Sequence, residues 1–227
     1  MTISYAIPVK DEITELPKLL HHLLENKRTQ DEIVILYDSM NGSEDVEEYL
    51  RAKSKNGEFL WLPEKFSGDF SAHKNKLNSL CHGDWIFQID ADEVPDEYLT
   101  EILPEVLEQN TEVDLYFVPR VNVVRGITDD HIKQWRWNVN EKGWVNWPDY
   151  QTRIYRNSPD IKWVNKVHER IVGFKNYAVL PQEAEYALWH MKDIDRQERQ
   201  NEYYDTFTVA RGKLGSNFIR SQHYLED

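Results

Sequence analysis

Asp90, Asp92 and Glu93 stand together in "GDWIFQIDADEVPDEYL", residues 83–99, where an apolar run gives way to polar chain. Side chains of extended backbone alternate, so Asp90 and Asp92 point the same way from the end of the strand that "DWIFQI" predicts. Two carboxylates held that close repel, and one keeps its proton unless a cation sits between them. Hard carboxylate oxygens suit Mg2+ or Mn2+, ions commonly held by one or two carboxylates together with substrate phosphates. The competing explanation is a solvated loop whose acids cap the next helix, the role that Asp96 and Glu97 fit in "PDEYL".

Positioning such carboxylates requires a frame that fixes the ends of several strands. "ISYAIPV" reads as a buried strand, and Leu16, Leu19, Leu20, Leu23 and Leu24 follow the i, i+3, i+4, i+7, i+8 rule of an amphipathic helix. "EIVILYD" is a second buried strand, followed by the turn "SMNGSED" and a polar helix around Val46 to Ala52. "EFLWL", a helix from about Asp69 to Leu80, "DWIFQI", a helical stripe through Leu99, Ile102, Leu103, Val106 and Leu107, and "VDLYFV" continue the alternation. Strands alternating with helices over residues 1–118 indicate βαβ units and a mainly parallel sheet. Ligands of such sheets bind beyond the carboxyl ends of the strands. Here those ends lead into the polar loops 8–12, 38–45, 62–69 and 90–95.

Beyond residue 118 the rhythm breaks. Residues 120–150 read as loop with "VNVV" as a strand, and "YQTRIYR", "IKWV", "VHERIVGF" and "AEYALWHM" as short strands. A polar helix is expected at about Asp195 to Arg211. No flexible linker separates the halves. The second is therefore expected as a smaller mixed β elaboration of a single domain, with 1–118 as the first half and 119–227 as the second.

The net charge of -13 over 227 residues argues against a surface that binds nucleic acid or anionic lipid throughout. The charge is uneven, however. Residues 119–180 hold 11 Lys and Arg against 6 Asp and Glu, and five of the eight tryptophans. That asymmetry suggests different partners for the two halves. The single cysteine, Cys81, excludes an intrachain disulfide and fits a reducing compartment. No apolar run approaches the ~20 residues of a membrane span, and no secretory signal opens the sequence. A soluble cytoplasmic protein without an integral membrane segment is the expectation.

Four pieces in order carry a resemblance to the GT-A glycosyltransferases of family 2. "AIPVKDE" resembles that family's first-strand motif, and "IVILYDSMNGSED" its second-strand Asp-Ser signature with an insertion in the turn. "DFSAHKNKLNSLCHGDWIFQIDADE" resembles the stretch that runs through an Arg-Asn pair into the DxD metal motif. The resemblance implies an α/β GT-A fold, a Rossmann-like mainly parallel sheet flanked by helices, and a nucleotide-sugar donor, most commonly a UDP-sugar. It further implies that Pro8, Asp11 and Glu12 line the base and ribose pocket and that Asp38 hydrogen-bonds the base. Lys74 and Asn75 would face the donor, with Lys in place of the family's Arg losing the bidentate fork. Asp90 and Ala91 would line the ribose side, with Asp90 also near the metal, and Asp92 would bind Mn2+ or Mg2+ directly. For Asp38 a turn or N-cap role remains the alternative, and for Asp11 and Glu12 a preference for a helix start.

"NKVHERIVG" resembles the His-Glu segment of some family members, which implies Glu169 as general base with His168 beside it. In a strand these two would point to opposite faces, so one of them would enter the site. The alternative pairs Glu169 with Arg170 or Arg153. His190 in "ALWHMKD" is implied as a further metal ligand, against the alternative of a packed core imidazole. On the acceptor side Trp147 and Arg153 are the candidates, since tryptophans interleaved with basic residues can stack on sugar rings. The implied reaction is inverting transfer to a hydroxyl of a glycan or lipid-linked glycan. A hydroxylated DNA base is also compatible with the basic, Trp-rich segment. The competing functions are a catalytically silent GT-A-like binding module and a nucleotidyltransferase. Sugar, linkage and oligomeric state are not encoded in any motif.

Overall fold

The structure, a computed structural model, describes residues 1–198. The first half alternates β1 (Ile3–Val9), α1 (Leu16–Asn26), β2 (Glu32–Asp38), α2 (Glu44–Lys53), β3 (Leu60–Glu64), α3 (Phe70–Asn78), β4 (Trp85–Gln88), β5 (Glu93–Pro95), α4 (Glu97–Gln109) and β6 (Leu115–Val118). The second half adds β7 (Arg120–Arg125), α5 (Asp129–Trp135), β8 (Gln151–Arg156), β9 (Lys162–Val164), β10 (Arg170–Val172), β11 (Tyr177–Val179) and β12 (Leu188–Asp193). Seven strands form the main sheet in the order β11-β6-β8-β4-β1-β2-β3. β8 runs antiparallel to both neighbours, and every other pairing in that sheet is parallel.

Burial explains why these runs become central strands. Along β1, Ile3, Tyr5, Ile7 and Val9 join one core cluster while Ala6 joins another. β2 divides in the same way, with Ile33, Ile35 and Tyr37 on one side and Val34 and Leu36 on the other. A sheet covered on both faces needs such continuous apolar strands. The leucine stripe of α1 closes one face through Leu16, Leu19, Leu20 and Leu23, all buried. Helix starts are fixed by short polar side chains: Ser43 accepts from the Val46 amide, Asp69 from Ala72 and Asp96 from Tyr98.

Two smaller sheets accompany the main one among the described residues. β12 pairs antiparallel with β5 and parallel with β7, and β9 and β10 form a separate hairpin. Several expectations change here. Residues 120–150 are not all loop: a seven-residue helix, α5, starts at a capping box between Thr128 and His131. It buries none of its residues, so no apolar stripe announced it. β5 emerges from the polar stretch after Asp92 because β12 pairs with it. "VHERIVGF" is strand only over Arg170–Val172. His168 and Glu169 lie in the turn before it, with Asn165 and His168 at φ 75° and 55°, so strand alternation does not apply to them. Residues 194–198 are helical, and the rest of the helix expected at 195–211 lies outside the described residues. Among the described residues no helix is long and apolar enough to cross a membrane.

Gly173 ends β10 at φ 93°, and a Cβ there would lie 1.9 Å from the Asp160 carbonyl oxygen. Gly57, at φ 71°, has open space around it. Gly57→Ala should therefore cost only the left-handed backbone strain, about 1–2 kcal/mol. Gly173→Ala should cost clearly more, and urea denaturation of both variants measures the difference.

Candidate active site

β1 and β4 are neighbours in the sheet, yet their following segments diverge: β1 leads by α1 to β2 on one side, and β4 leads away on the other. A crevice opens beyond the carboxyl ends at such a switch point. Glu12 follows β1 there, and Asp90, Ala91 and Asp92 follow β4.

Glu93 fixes the acidic loop. It is fully buried; one carboxylate oxygen accepts from Arg120 and from Arg153, each at 2.8 Å, and the other accepts from the Asp90 amide at 3.2 Å. Arg153 also donates to the Asp90 carboxylate. Arg120 reaches Asp149 at 2.7 Å, and Asn122 donates to the same Asp149 oxygen at 2.7 Å. Burial would raise the Asp90 pKa, but the charge of Arg153 and then of Lys74 holds it below the ordinary carboxylate value. Burial likewise opposes ionisation of Asp92, and His190, Lys192 and Arg196 together overcome it and depress its pKa.

The small sheet aims His190 at Asp92. In its register His190 faces Glu93 of β5 and Asn122 of β7. Asn122 commits its amide NH2 to Val145 and Asp149, so its oxygen faces His190 Nδ1 at 2.8 Å. Nδ1 therefore carries a proton, and Nε2 faces Asp92 Oδ2 at 3.3 Å, donating to it when protonated and offering a lone pair to a metal when neutral. Burial pushes the His190 pKa below its ordinary value, against the opposing pull of Asp92. A neutral imidazole nitrogen and a carboxylate oxygen facing each other form a donor pair that suits Mn2+. Two protein ligands are enough where donor phosphates complete the coordination. No group of three or more His, Cys, Asp or Glu arranged for a metal is found among the described residues. Asp90, given to Arg153 and Gln88, does not add to the pair.

Lys192 and Arg196 stand beside this pair, each 3.7 Å from Asp92 Oδ2. Arg196 also contacts Glu12 at 3.3 Å and Glu15 at 2.7 Å, so one guanidinium ties the β1 loop to the acidic loop. Sequence reasoning missed both cations. Lys192 was within its reach, because alternation along β12 places Leu188, His190 and Lys192 on one buried side and Met191 and Asp193 on the other. Arg120, Asp149 and Asn122 carried no comparable signal.

Other expected site residues fall differently. Asp38 accepts from the Met40, Asn41 and Phe66 amides and from the Asn41 side chain, so it builds the turn after β2. Asn75 bonds both the carbonyl and the amide of Trp163 and clamps α3 to β9. Ala91 packs into the main core. Arg153 is buried against Asp90 and Glu93, which corrects the expectation that it reaches an acceptor. Pro8 is half-buried in β1, and Asp11 is exposed beside Lys10 at 3.7 Å. Trp147 is half-buried with its ring edge-on to Trp144 at 5.0 Å. Glu169 pairs with Lys74 at 2.6 Å rather than with Arg170 or Arg153. Cys81 is buried, which pushes its thiol up to about 12 and leaves it inert.

A mainly parallel sheet with helices on both faces and an Asp-Ala-Asp loop at its switch point defines a GT-A-type α/β architecture. The chain belongs to glycosyl transferase family 2, whose family model matches residues 4–176. Among solved structures it is similar to S. aureus TarS, with a TM-score of 0.62 and 17% identity over 92% of this chain and 39% of that one. TarS 1–349 in complex with UDP-GlcNAc gives a TM-score of 0.60 and 15% identity over 85% of this chain and 59% of that one. The complex of TarS 1–349 with UDP gives 0.58 and 16%, over 92% and 64% of the two chains. The chain thus spans less than two thirds of these relatives. No curated protein matches it by sequence.

Two measurements test this geometry. Removing Glu93 leaves Arg120 and Arg153 buried without their shared anion, so Glu93→Ala should lose about 3–5 kcal/mol in chemical denaturation. Glu12 has its pKa raised by burial to about 7, assisted by Asp11 and Asp92, even though the Lys10 amide and Arg196 act to lower it. For a carboxyl with a raised folded value, its contribution to stability is complete below the unfolded pKa and is lost as pH rises through the folded one. Glu12 thus lowers stability as pH is taken from about 4.5 to 7, against His22, His73 and His190, whose lowered values act the other way, so the Tm of Glu12→Gln should rise relative to that of the unaltered protein across this range.

Proposed function

We propose that this chain is a metal-dependent, inverting glycosyltransferase that moves a sugar from a nucleotide-sugar donor to a hydroxyl acceptor. The observation that carries the reading is the neutral His190 nitrogen held against Asp92 by Asn122, at the switch point of a family 2 fold. A UDP-sugar is the first donor to test, in keeping with the UDP and UDP-GlcNAc complexes of TarS. Asp92 and His190 would hold Mn2+ or Mg2+, which when bound offsets the charge of the leaving diphosphate. Glu169 takes the proton of the acceptor hydroxyl as its oxygen bonds to the anomeric carbon. The bond from that carbon to the diphosphate oxygen breaks, and its electron pair leaves with the nucleoside diphosphate. Attack opposite the leaving group inverts the anomeric centre.

Residues 1–118 supply most of the donor site, and residues 119–227 supply the acceptor site. Trp144, Trp147 and Trp189 form an aromatic cluster in which Trp147 stays half-buried, a surface suited to stacking on a sugar ring. A glycan or lipid-linked glycan fits it best. Arg153 contributes from beneath by holding Asp90 and Glu93.

Nucleotide release from UDP-, GDP-, CMP- and dTDP-sugars, with Mn2+ and then with EDTA, tests the reading. Release from one donor, lost with EDTA, is expected; absence of nucleotide binding from the whole panel overturns it. Asp92→Asn should abolish metal-dependent donor binding while the protein stays folded. Glu169→Gln should keep donor affinity and lose about 10²–10⁴-fold in turnover, the usual contribution of a general base. Single-turnover kinetics beside donor titration separates the two effects.

A further inference from the structure

The candidate base is not free in this structure. Lys74 Nζ lies 2.6 Å from Glu169 Oε1, with the two side chains only 12% and 18% exposed. The ammonium takes Oε1, one of the two carboxylate oxygens, and shares the negative charge that draws a proton. Release of Lys74 would leave both oxygens and the whole charge to receive the acceptor's proton.

The surroundings of Lys74 show what can move. Asn75, the next residue, is bolted to both backbone groups of Trp163 at 2.8 and 2.9 Å. The Phe70 amide donates to the Lys166 carbonyl at 3.1 Å, tying the start of α3 to the same hairpin turn that carries Glu169. The frame that brings α3 and the β9–β10 hairpin together is thus rigid, whereas the contact between Lys74 and Glu169 rests on one flexible stem. The Lys74 ammonium also sits over the Trp163 ring, 4.2 Å from its centre, an attraction that does not depend on Glu169. Lys74 lies on α3, which packs against β1 and leads directly into β4, the two strands whose following segments carry Glu12 and the acidic loop.

We propose that Lys74 is a donor-responsive catch on Glu169: its ammonium holds the carboxylate in the free enzyme and transfers to the diphosphate when a donor binds, releasing the base. This rests on the assignment of Glu169 and of the donor site under Proposed function. A diphosphate carries more negative charge than one carboxylate, so a single mobile ammonium exchanges partners with a gain. Lysine suits this role, because a point charge on a four-carbon stem changes partner more readily than a planar bidentate guanidinium. The consequence is that the base becomes available only when a donor is in place.

Carboxyl labelling with a water-soluble carbodiimide and an amine tests this on the whole chain, read at Glu169 by peptide mass spectrometry against the exposed Glu48 on α2. UDP and GDP, each with Mn2+, serve as the probes, and thermal stabilisation in the same samples reports binding. Glu169 should label slowly in the free enzyme and several-fold faster with the nucleotide that binds. Lys74→Met should label fast with or without nucleotide, and Lys74→Arg should restore protection in the free state. Binding without a change at Glu169, or slow labelling in Lys74→Met, overturns the catch and leaves the donor site standing. Failure of both nucleotides to bind overturns the catch together with the donor site on which it rests.

Discussion

Everything at this site depends on one fully buried carboxylate. Glu93 takes two arginines and one backbone amide, and through them it sets the place of Asp90, of β7 and of β8. Buried charges are tolerated only when neighbours satisfy them, because the loss of hydration is otherwise too large to recover. Once Glu93 is buried, Arg120 and Arg153 must come to it, and Asp149 must come to Arg120. The charges that make up the interior of the site are therefore a mutually dependent set drawn from both halves of the chain.

A second layer aims the chemistry outward. Asn122 orients His190, His190 faces Asp92, and Lys192 and Arg196 surround the same carboxylate. The result is an ionised Asp92 beside an imidazole whose burial favours its neutral form, both pKa values lying below their ordinary ones. Perturbed titratable groups gathered in a crevice are a mark of sites built for chemistry. The cations nearby keep the acidic loop from repelling itself, and they also bring positive charge to the crevice.

Much of the first half was legible in the sequence. Apolar runs bounded by polar turns gave β1 to β4 and β6, and the apolar spacing gave α1 and α4, because burial acts on every residue of such elements. The carboxyl-end loops and the Asp-Ala-Asp stretch belong to the same readable class, whereas a role for His190 was implied only by the family resemblance. The short strands β5 and β11, the helix α5 and the turn at His168 did not announce themselves. Three-residue strands exist because a partner strand pairs with them, and α5 buries nothing from which a period could be read.

The roles of individual polar residues divide along the same line. Residue type and local spacing alone determined that an acidic, oxygen-rich loop would follow β4, that a βαβ frame would hold it, and that basic, Trp-rich chain would come later. Only the tertiary structure decided that Asp38 builds a turn, that Asn75 clamps a hairpin, that Arg153 goes inward to Asp90, and that Lys74 closes on Glu169. A side chain's donors and acceptors are fixed by its chemistry, but which of them remain for a substrate depends on which partners the fold has already brought within hydrogen-bond reach.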